Sequence, residues 1–373
     1  VTSEIHGTCD DRFGRLRDVF EENFKNDLEL GASLAVTVEG ELAVDLWGGY
    51  ANPTRTRPWQ KDTVVLVFSS TKVPTTLCAL MLIDQGKLDI DLPIAHYWPE
   101  FAAKGKDNVL VRHIFNHSAG VPGFDPPIPF ATQYDWQAIT AALADQELWW
   151  EPGTQSGYHA FTYGFLVGEL VRRISGKKPG QYLKMEITDK IGADFVVGFD
   201  MKEFPRMAAT EPVGEREPRE EGSIGYRVEN SFLAPAWQGA ECLTSEIPAS
   251  NGIGNARSLA KIGAVLAMNG ELCGHRFLAP QTMDLLLTEQ SYRRDLCNEL
   301  DVRWGLGLGL HSKEFRCLGE GSMHWGGYGG SFVIADRDYK VSIAYAMNRL
   351  LASFSDDPRT LRLREAFVEI VTG

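Results

Sequence analysis

A chain of 373 residues, 44% hydrophobic and 23% charged, has a globular composition and the length for one large domain or two joined ones. Its net charge of −13 repels anionic partners, which sets aside nucleic acid and anionic membrane surfaces. No apolar run approaches the roughly 18–20 residues of a membrane span, and the six cysteines form no C-x-x-C pair, so metal knuckles and redox motifs are unsupported.

Taken in chain order, Asp10 to Lys25 places Phe13, Leu16, Val19, Phe20 and Phe24 on one face, predicting an amphipathic helix capped by Asp10. Leu34, Val36 and Val38 alternate, Glu39-Gly40 turns the chain, and Leu42, Val44 and Leu46 alternate again, the pattern of a β-hairpin. A strand-like run from Val64 to Phe68 then leads into Ser69-Ser70-Thr71-Lys72 and a helix whose segment Leu77 to Ile83 is apolar on every side. Gly86 ends that helix. From about 90 to 235 helices alternate with Pro- and Gly-rich loops, and 215–221 reads as a solvated loop. Strand signals return at Phe332, Val333 and Ile334 and, after a turn at Asp336-Arg337-Asp338, at Val341, Ile343 and Tyr345. A last helix spans about Pro358 to Val371. Strands at both ends and helices between predict one α/β sheet domain from residues 1–66 and 245–373, with a mainly helical domain, 67–244, inserted.

The pattern S-x-x-K occurs three times, at Ser69/Lys72, Ser175/Lys178 and Ser258/Lys261. The second lies at a helix end and turn. The third is a helix start capped by Asn255 or Ser258. Only the first sits between a strand and a buried helix. Residues three apart on a helix share a face, at roughly 5–6 Å. A lysine in a dry pocket loses its proton readily and can take that of a serine hydroxyl, the chemistry of S-x-x-K acyl-enzyme formers. Tyr158, in a Pro/Gly-rich loop before a helix, is the candidate second proton carrier, pushed toward its anion by the nearby ammonium, against the commoner reading of a tyrosine that closes the loop and packs on the core. The Gly-rich stretch Trp325-Gly326-Gly327-Tyr328-Gly329-Gly330 lets a backbone approach closely and aim N–H groups at a developing oxyanion.

Ser69-Ser70-Thr71-Lys72, Gly157-Tyr158-His159-Ala160 and Trp325-Gly326-Gly327 together resemble the three motifs of the family VIII carboxylesterases, relatives of class C β-lactamases and penicillin-binding DD-peptidases. The resemblance extends over nearly the whole chain, through Val44-Asp45-Leu46-Trp47-Gly48-Gly49, residues 113–120, 168–173 and 251–257. It implies a β-lactamase/DD-peptidase-type fold, an antiparallel sheet flanked by helices plus an inserted all-helical domain. It further implies Ser69 as nucleophile, Lys72 as its activator and Tyr158 as proton shuttle. The oxyanion hole would be formed by the N–H groups of Ser69 and Tyr328, and Trp325, Gly326, Gly327 and His159 would stand at the substrate. The implied substrate is a small-molecule ester of a short-to-medium acyl group, with no metal or organic cofactor. Where the β-lactamases carry Lys-Thr-Gly this chain has Trp325-Gly326-Gly327, and Ala160 replaces their asparagine, which favours neutral esters over lactams. An acyltransferase on the same acyl-enzyme, a β-lactamase or D-amino-acid peptidase, and a non-catalytic binding protein are the alternatives.

His113 and His117, four apart, have metal-ligand spacing but neither an intervening glutamate nor a third ligand, and read as a structural turn. His159 and His324 flank the site as loop-packing or solvent-facing residues, His324 also being the residual base of a Ser-His-Asp triad. No G-x-S-x-G elbow occurs. Trp149, Trp150, Phe124, Phe130 and Trp237 read as core, some of them lining the acyl pocket. A polar N-terminus without a signal core and unpaired cysteines point to the cytoplasm. The oligomeric state is left open.

Overall fold

The computed structural model describes residues 4–215, 218–233, 239–352 and 357–373. Its centre is a nine-stranded antiparallel sheet built from both ends of the chain. We number its strands β1 (Ile5–Cys9), β2 (Gly31–Val38), β3 (Glu41–Gly49), β4 (Ser291–Arg294), β5 (Asp301–Trp304), β6 (Gly309–Leu310), β7 (Ser322–Gly326), β8 (Phe332–Asp336) and β9 (Val341–Met347). The spatial order is β1-β3-β2-β9-β8-β7-β6-β5-β4, so β2 and β9, from opposite ends of the chain, pair at the centre. The β2–β3 hairpin turns at Glu39 and Gly40, both with positive φ, the backbone a two-residue turn requires.

Alternation along the central strands gives the two sheet faces different chemistry. Leu34, Val36, Ile343 and Tyr345 face α1 (Gly14–Lys25) and the C-terminal α6 (Pro358–Thr372), packing with Phe13, Leu16, Phe20, Leu363 and Phe367. Ala35, Ala344 and Ala346 point the other way, where small side chains admit α5 (Ala256–Ala267) close to the strands. That second core runs on into α2 (Lys72–Asp84) and α4 (Thr162–Ser175), with α3 (Trp136–Asp145) outside them. Helix α2 is buried from Lys72 to Leu82, as its all-round apolarity predicts.

Several details depart from expectation. Asp10 caps a single 3₁₀ turn, Asp11–Phe13, by accepting the Arg12 N–H, and α1 proper starts at Gly14. β1, a short strand at the sheet edge whose half-buried Ile5 and Cys9 flank three exposed residues, was not expected. The middle of the chain is mainly rather than wholly helical. Ile128–Pro129 pairs with Phe232–Leu233, and Glu211–Val213 with Arg349–Leu351. Within 215–221 the described residues are mostly exposed, while Arg216 and Glu217, like Trp237, lie outside the described residues. Among the described residues no helix is long and apolar enough to cross a membrane.

Candidate active site

Ser69 stands on a tight 3₁₀ turn, Phe68–Thr71, between a short strand (Val65–Leu66) and α2. Phe68 adopts a φ of +48°, a left-handed conformation that costs a bulky residue energy and persists only where neighbours enforce it. They do so here. Thr71 donates its hydroxyl to the Phe68 carbonyl at 2.5 Å and receives the Gly252 N–H at 2.8 Å. From the other side Ser331 donates to the Val67 carbonyl at 2.7 Å, and because its one hydrogen is used there, Ser70 donates to Ser331 at 2.9 Å. The result presents the Ser69 side chain, half-buried, at the wall of a cleft of about 1140 Å³.

Lys72 lies one turn on, 1% exposed, with Nζ 3.5 Å from Ser69 Oγ. Nζ also donates to the carbonyls of Ala160 at 2.7 Å and Ala249 at 3.1 Å. No carboxylate compensates the burial, which holds the amine well below the usual lysine range. Once deprotonated, the amine keeps its two hydrogens on the two carbonyls, and its lone pair is left facing Ser69.

Tyr158 is brought to the same point by the loop before α4. Its hydroxyl is in hydrogen-bond contact with the Ser69 side chain and accepts the Trp325 Nε1–H at 3.1 Å. Lys72 Nζ stands 4.7 Å from the Tyr158 ring centroid. The expectation that Tyr158 is pushed toward its anion is overturned. Burial raises the phenol above its usual range, Asp295 adds to the effect, and the contacts to Ser69 and Trp325 only moderate it. Burial therefore works against the charged form of both groups, lowering the amine and raising the phenol.

The Gly-rich stretch closes the site. A Cβ on Gly327 would stand 2.2 Å from the Val67 carbonyl and 3.1 Å from the Ser69 nitrogen, so only glycine lets the end of β7 lie against the nucleophile turn. Tyr328 follows at the cleft wall, edge-on to Phe68 at 5.5 Å. Behind it Arg359, fully buried, donates to the Gly329 carbonyl at 2.7 Å while paired with Asp357 and Glu29.

Other residues stand elsewhere than the sequence suggests. Trp325 is 5% exposed and packs between Tyr158, at 5.3 Å, and Trp304, at 4.6 Å, so its visible contact is with the tyrosine rather than with the cleft. His159, expected beside the substrate, is fully buried with Nδ1 on the Gly157 carbonyl at 2.7 Å, and burial lowers its pKa to about 3. It does not line the cleft. His324 is buried as well, 5% exposed and stacked on Phe315 at 3.5 Å, a packing rather than a solvent-facing role. His113 Nδ1 accepts the Leu110 N–H and His117 Nδ1 the His159 N–H, so both rings are spent on backbone. Trp149, Trp150, Phe124 and Phe130 stay behind the cleft, whose apolar lining comes from Leu66, Phe68, Phe161, Met207, Leu243 and Leu350.

Asp295 escaped sequence reasoning. Its buried carboxylate accepts N–H groups from Tyr158, Cys297 and Asn298 and so ties the tyrosine loop to β4, yet Arg-Arg-Asp-Leu-Cys carries no motif that flags it. Arg359 and Ser331 were missed too, because each acts from a distant part of the chain.

Comparison with known proteins gives the family and fold. The chain is 30% identical to the esterase/beta-lactamase LipL of Mycobacterium tuberculosis over 375 residues, covering 93% of this chain and 84% of that protein. A penicillin-binding-protein homologue from Caulobacter crescentus superposes with a TM-score of 0.93 at 36% identity, over 98% of this chain and 100% of the other. A family VIII carboxylesterase does so with a TM-score of 0.91 at 35% identity and the same coverage. The beta-lactamase family model matches residues 20–366, and with the fold and the Ser69 turn in place this chain belongs to the beta-lactamase family.

Proposed function

We propose that the protein is a serine carboxylesterase that cleaves neutral small-molecule esters of short-to-medium acyl groups through an acyl-enzyme on Ser69. The observation carrying this reading is the convergence of Ser69, Lys72 and Tyr158 at one wall of a largely apolar cleft. Esterase relatives and a family VIII carboxylesterase of similar fold support it.

Neutral Lys72 takes the Ser69 proton as Oγ attacks the ester carbonyl, and the N–H groups of Ser69 and Tyr328 receive the oxyanion. The proton returns through the Tyr158 hydroxyl, which gives up one hydrogen to the departing alkoxide as it gains another. Water then enters by the reverse route and releases the acid. The Trp325 N–H at Tyr158 OH steadies the partial negative charge the phenol carries during transfer. The lactam reading is disfavoured because an indole stands where a lysine ammonium would hold a β-lactam carboxylate, and because Ala160 supplies no side-chain amide, its carbonyl being taken by Lys72.

The test is hydrolysis of p-nitrophenyl acetate and butyrate by wild type and Ser69→Ala. The variant should fall to background, and equal rates would remove Ser69 from the mechanism. Nitrocefin turnover should be slow against ester turnover, and the reverse ranking would return the lactamase reading.

A further inference from the structure

We propose that His117 is the positioning residue of the catalytic tyrosine, gripping the peptide on both sides of Tyr158. The inference rests on the esterase reading and adds to it a residue with no contact to the reacting atoms. The His117 carbonyl accepts the Gly157 N–H at 3.0 Å, and its ring Nδ1 accepts the His159 N–H at 3.0 Å. One residue therefore holds the amide before the tyrosine through its backbone and the amide after it through its side chain. The ring also fills the space behind the phenol. Its centroid lies 5.0 Å from that of Tyr158, 4.4 Å from Trp304, 5.1 Å from Tyr163 and 6.4 Å from Trp325.

The grip depends on the protonation state. An imidazole nitrogen accepts only when it bears no proton, so His117 must be the neutral tautomer with hydrogen on Nε2. The site enforces that state. His117 is fully buried, and the groups facing it are His159 and the Lys72 amine, with no carboxylate among the charges that bear on it. Its own backbone, at a φ of +56°, is held in the left-handed region that non-glycine residues avoid, which turns its carbonyl and its ring toward the same loop. Asp295 takes the Tyr158 N–H itself from the opposite side, so three consecutive amides of residues 157–159 are each fixed by a different acceptor.

Displacement of a proton carrier by about 1 Å costs on the order of 100-fold in rate. His117→Phe keeps a ring and removes the acceptor, whereas His117→Asn loses the ring and keeps an acceptor near the Nδ1 position. The experiment is a double-mutant cycle with Tyr158→Phe, using p-nitrophenyl butyrate and reading kcat and KM separately. In the wild-type background His117→Phe should lower kcat on the order of 100-fold with KM changed by less than about threefold, and His117→Asn should recover most of that loss. In the Tyr158→Phe background His117→Phe should cost less than about threefold, since there is no phenol left to place. Equal losses in both backgrounds, or a loss carried by KM, would overturn the assignment and leave His117 a packing residue. If His117→Phe fails to fold, the same cycle run with His117→Leu, which also lacks the acceptor, decides, because a positioning role makes its loss smaller without the phenol. Inactive wild type, or Ser69→Ala equal to wild type, is a separate outcome and overturns the esterase reading instead.

Discussion

Replacing Trp325 by Phe tests whether the indole assists catalysis or only fills space. The Trp325 N–H meets the Tyr158 oxygen at 3.1 Å, an ordinary neutral hydrogen bond at rest, worth about 1 kcal/mol net. During proton transfer that oxygen becomes partly anionic, and a charge-assisted bond is roughly twice as strong. The difference, about 1 kcal/mol, appears only in the transition state, so kcat should fall about 5- to 10-fold with KM nearly unchanged. The same substitution also removes buried ring atoms from a cluster with Trp304 and Tyr158, which costs stability whatever the bond does. Trp304→Phe is the control. Trp304 packs in the same cluster, 4.6 Å from Trp325, but its buried Nε1 has no partner among the described residues, so the substitution loses comparable packing without a hydrogen bond to the phenol. Both variants should lower the urea midpoint by similar amounts, and only Trp325→Phe should lower kcat on p-nitrophenyl butyrate by more than about twofold. Equal kcat losses in the two variants would refute the reasoning and reduce Trp325 to a space-filling residue.

Because burial lowers the Lys72 pKa, kcat/KM should rise as pH climbs through that depressed value and then level off, and Lys72→Arg, always charged, should show no such limb and negligible turnover. The same shift acts on stability. Between the folded pKa and the unfolded value near 10.4 the unfolded chain binds the extra proton, so stability rises with pH across that window. The Tm of Lys72→Met minus that of wild type should therefore shrink from pH 7 to pH 10, and a constant difference would show that the amine is not displaced from its usual range. Gly327→Ala puts a Cβ 2.2 Å from the Val67 carbonyl and should cost about 1–3 kcal/mol in a denaturation curve and on the order of 100-fold in kcat by pushing β7 off the nucleophile turn. Arg359→Met leaves Glu29 and Asp357 buried without their cation and should destabilise by about 3–5 kcal/mol, read from the urea midpoint.

The sheet was legible where burial is one-sided. Leu34, Val36, Ile343 and Tyr345 announce strands because every second residue must be large and apolar to meet α1 and α6. β1 was illegible for the converse reason: five residues with only Ile5 and Cys9 half-buried give too short an alternation to declare a strand. At the site, the grouping of Ser69 with Lys72 was legible because three-residue spacing across a helix start places them side by side, and the close approach at Gly327 was legible because a strand-end glycine lets a backbone come near. The residues that hold those groups in place were not. Ser331, Asp295, His117 and Arg359 reach backbone groups 30 or more positions away in sequence, and a local pattern carries no trace of such a bond.

The misread charge state of Tyr158 has the same origin and a larger consequence. From sequence, a lysine near a phenol implies an ammonium and hence a phenol inclined to ionise. That inference assumes Lys72 keeps its proton. Burial decides the matter for both groups at once, since removing either from water disfavours its charged form, lowering the amine and raising the phenol. Among the described residues the Lys72 amine donates to two carbonyls and a serine and lies over the Tyr158 ring, with no carboxylate in those contacts, so burial drives it toward its neutral form. In the proposed mechanism this gives a division of labour, with the amine as the base that starts the reaction and the phenol as the relay that ends it. Trp325 belongs to that arrangement, because a neutral indole donor can support a relay without the extra cation that a lysine would bring into an already dry site.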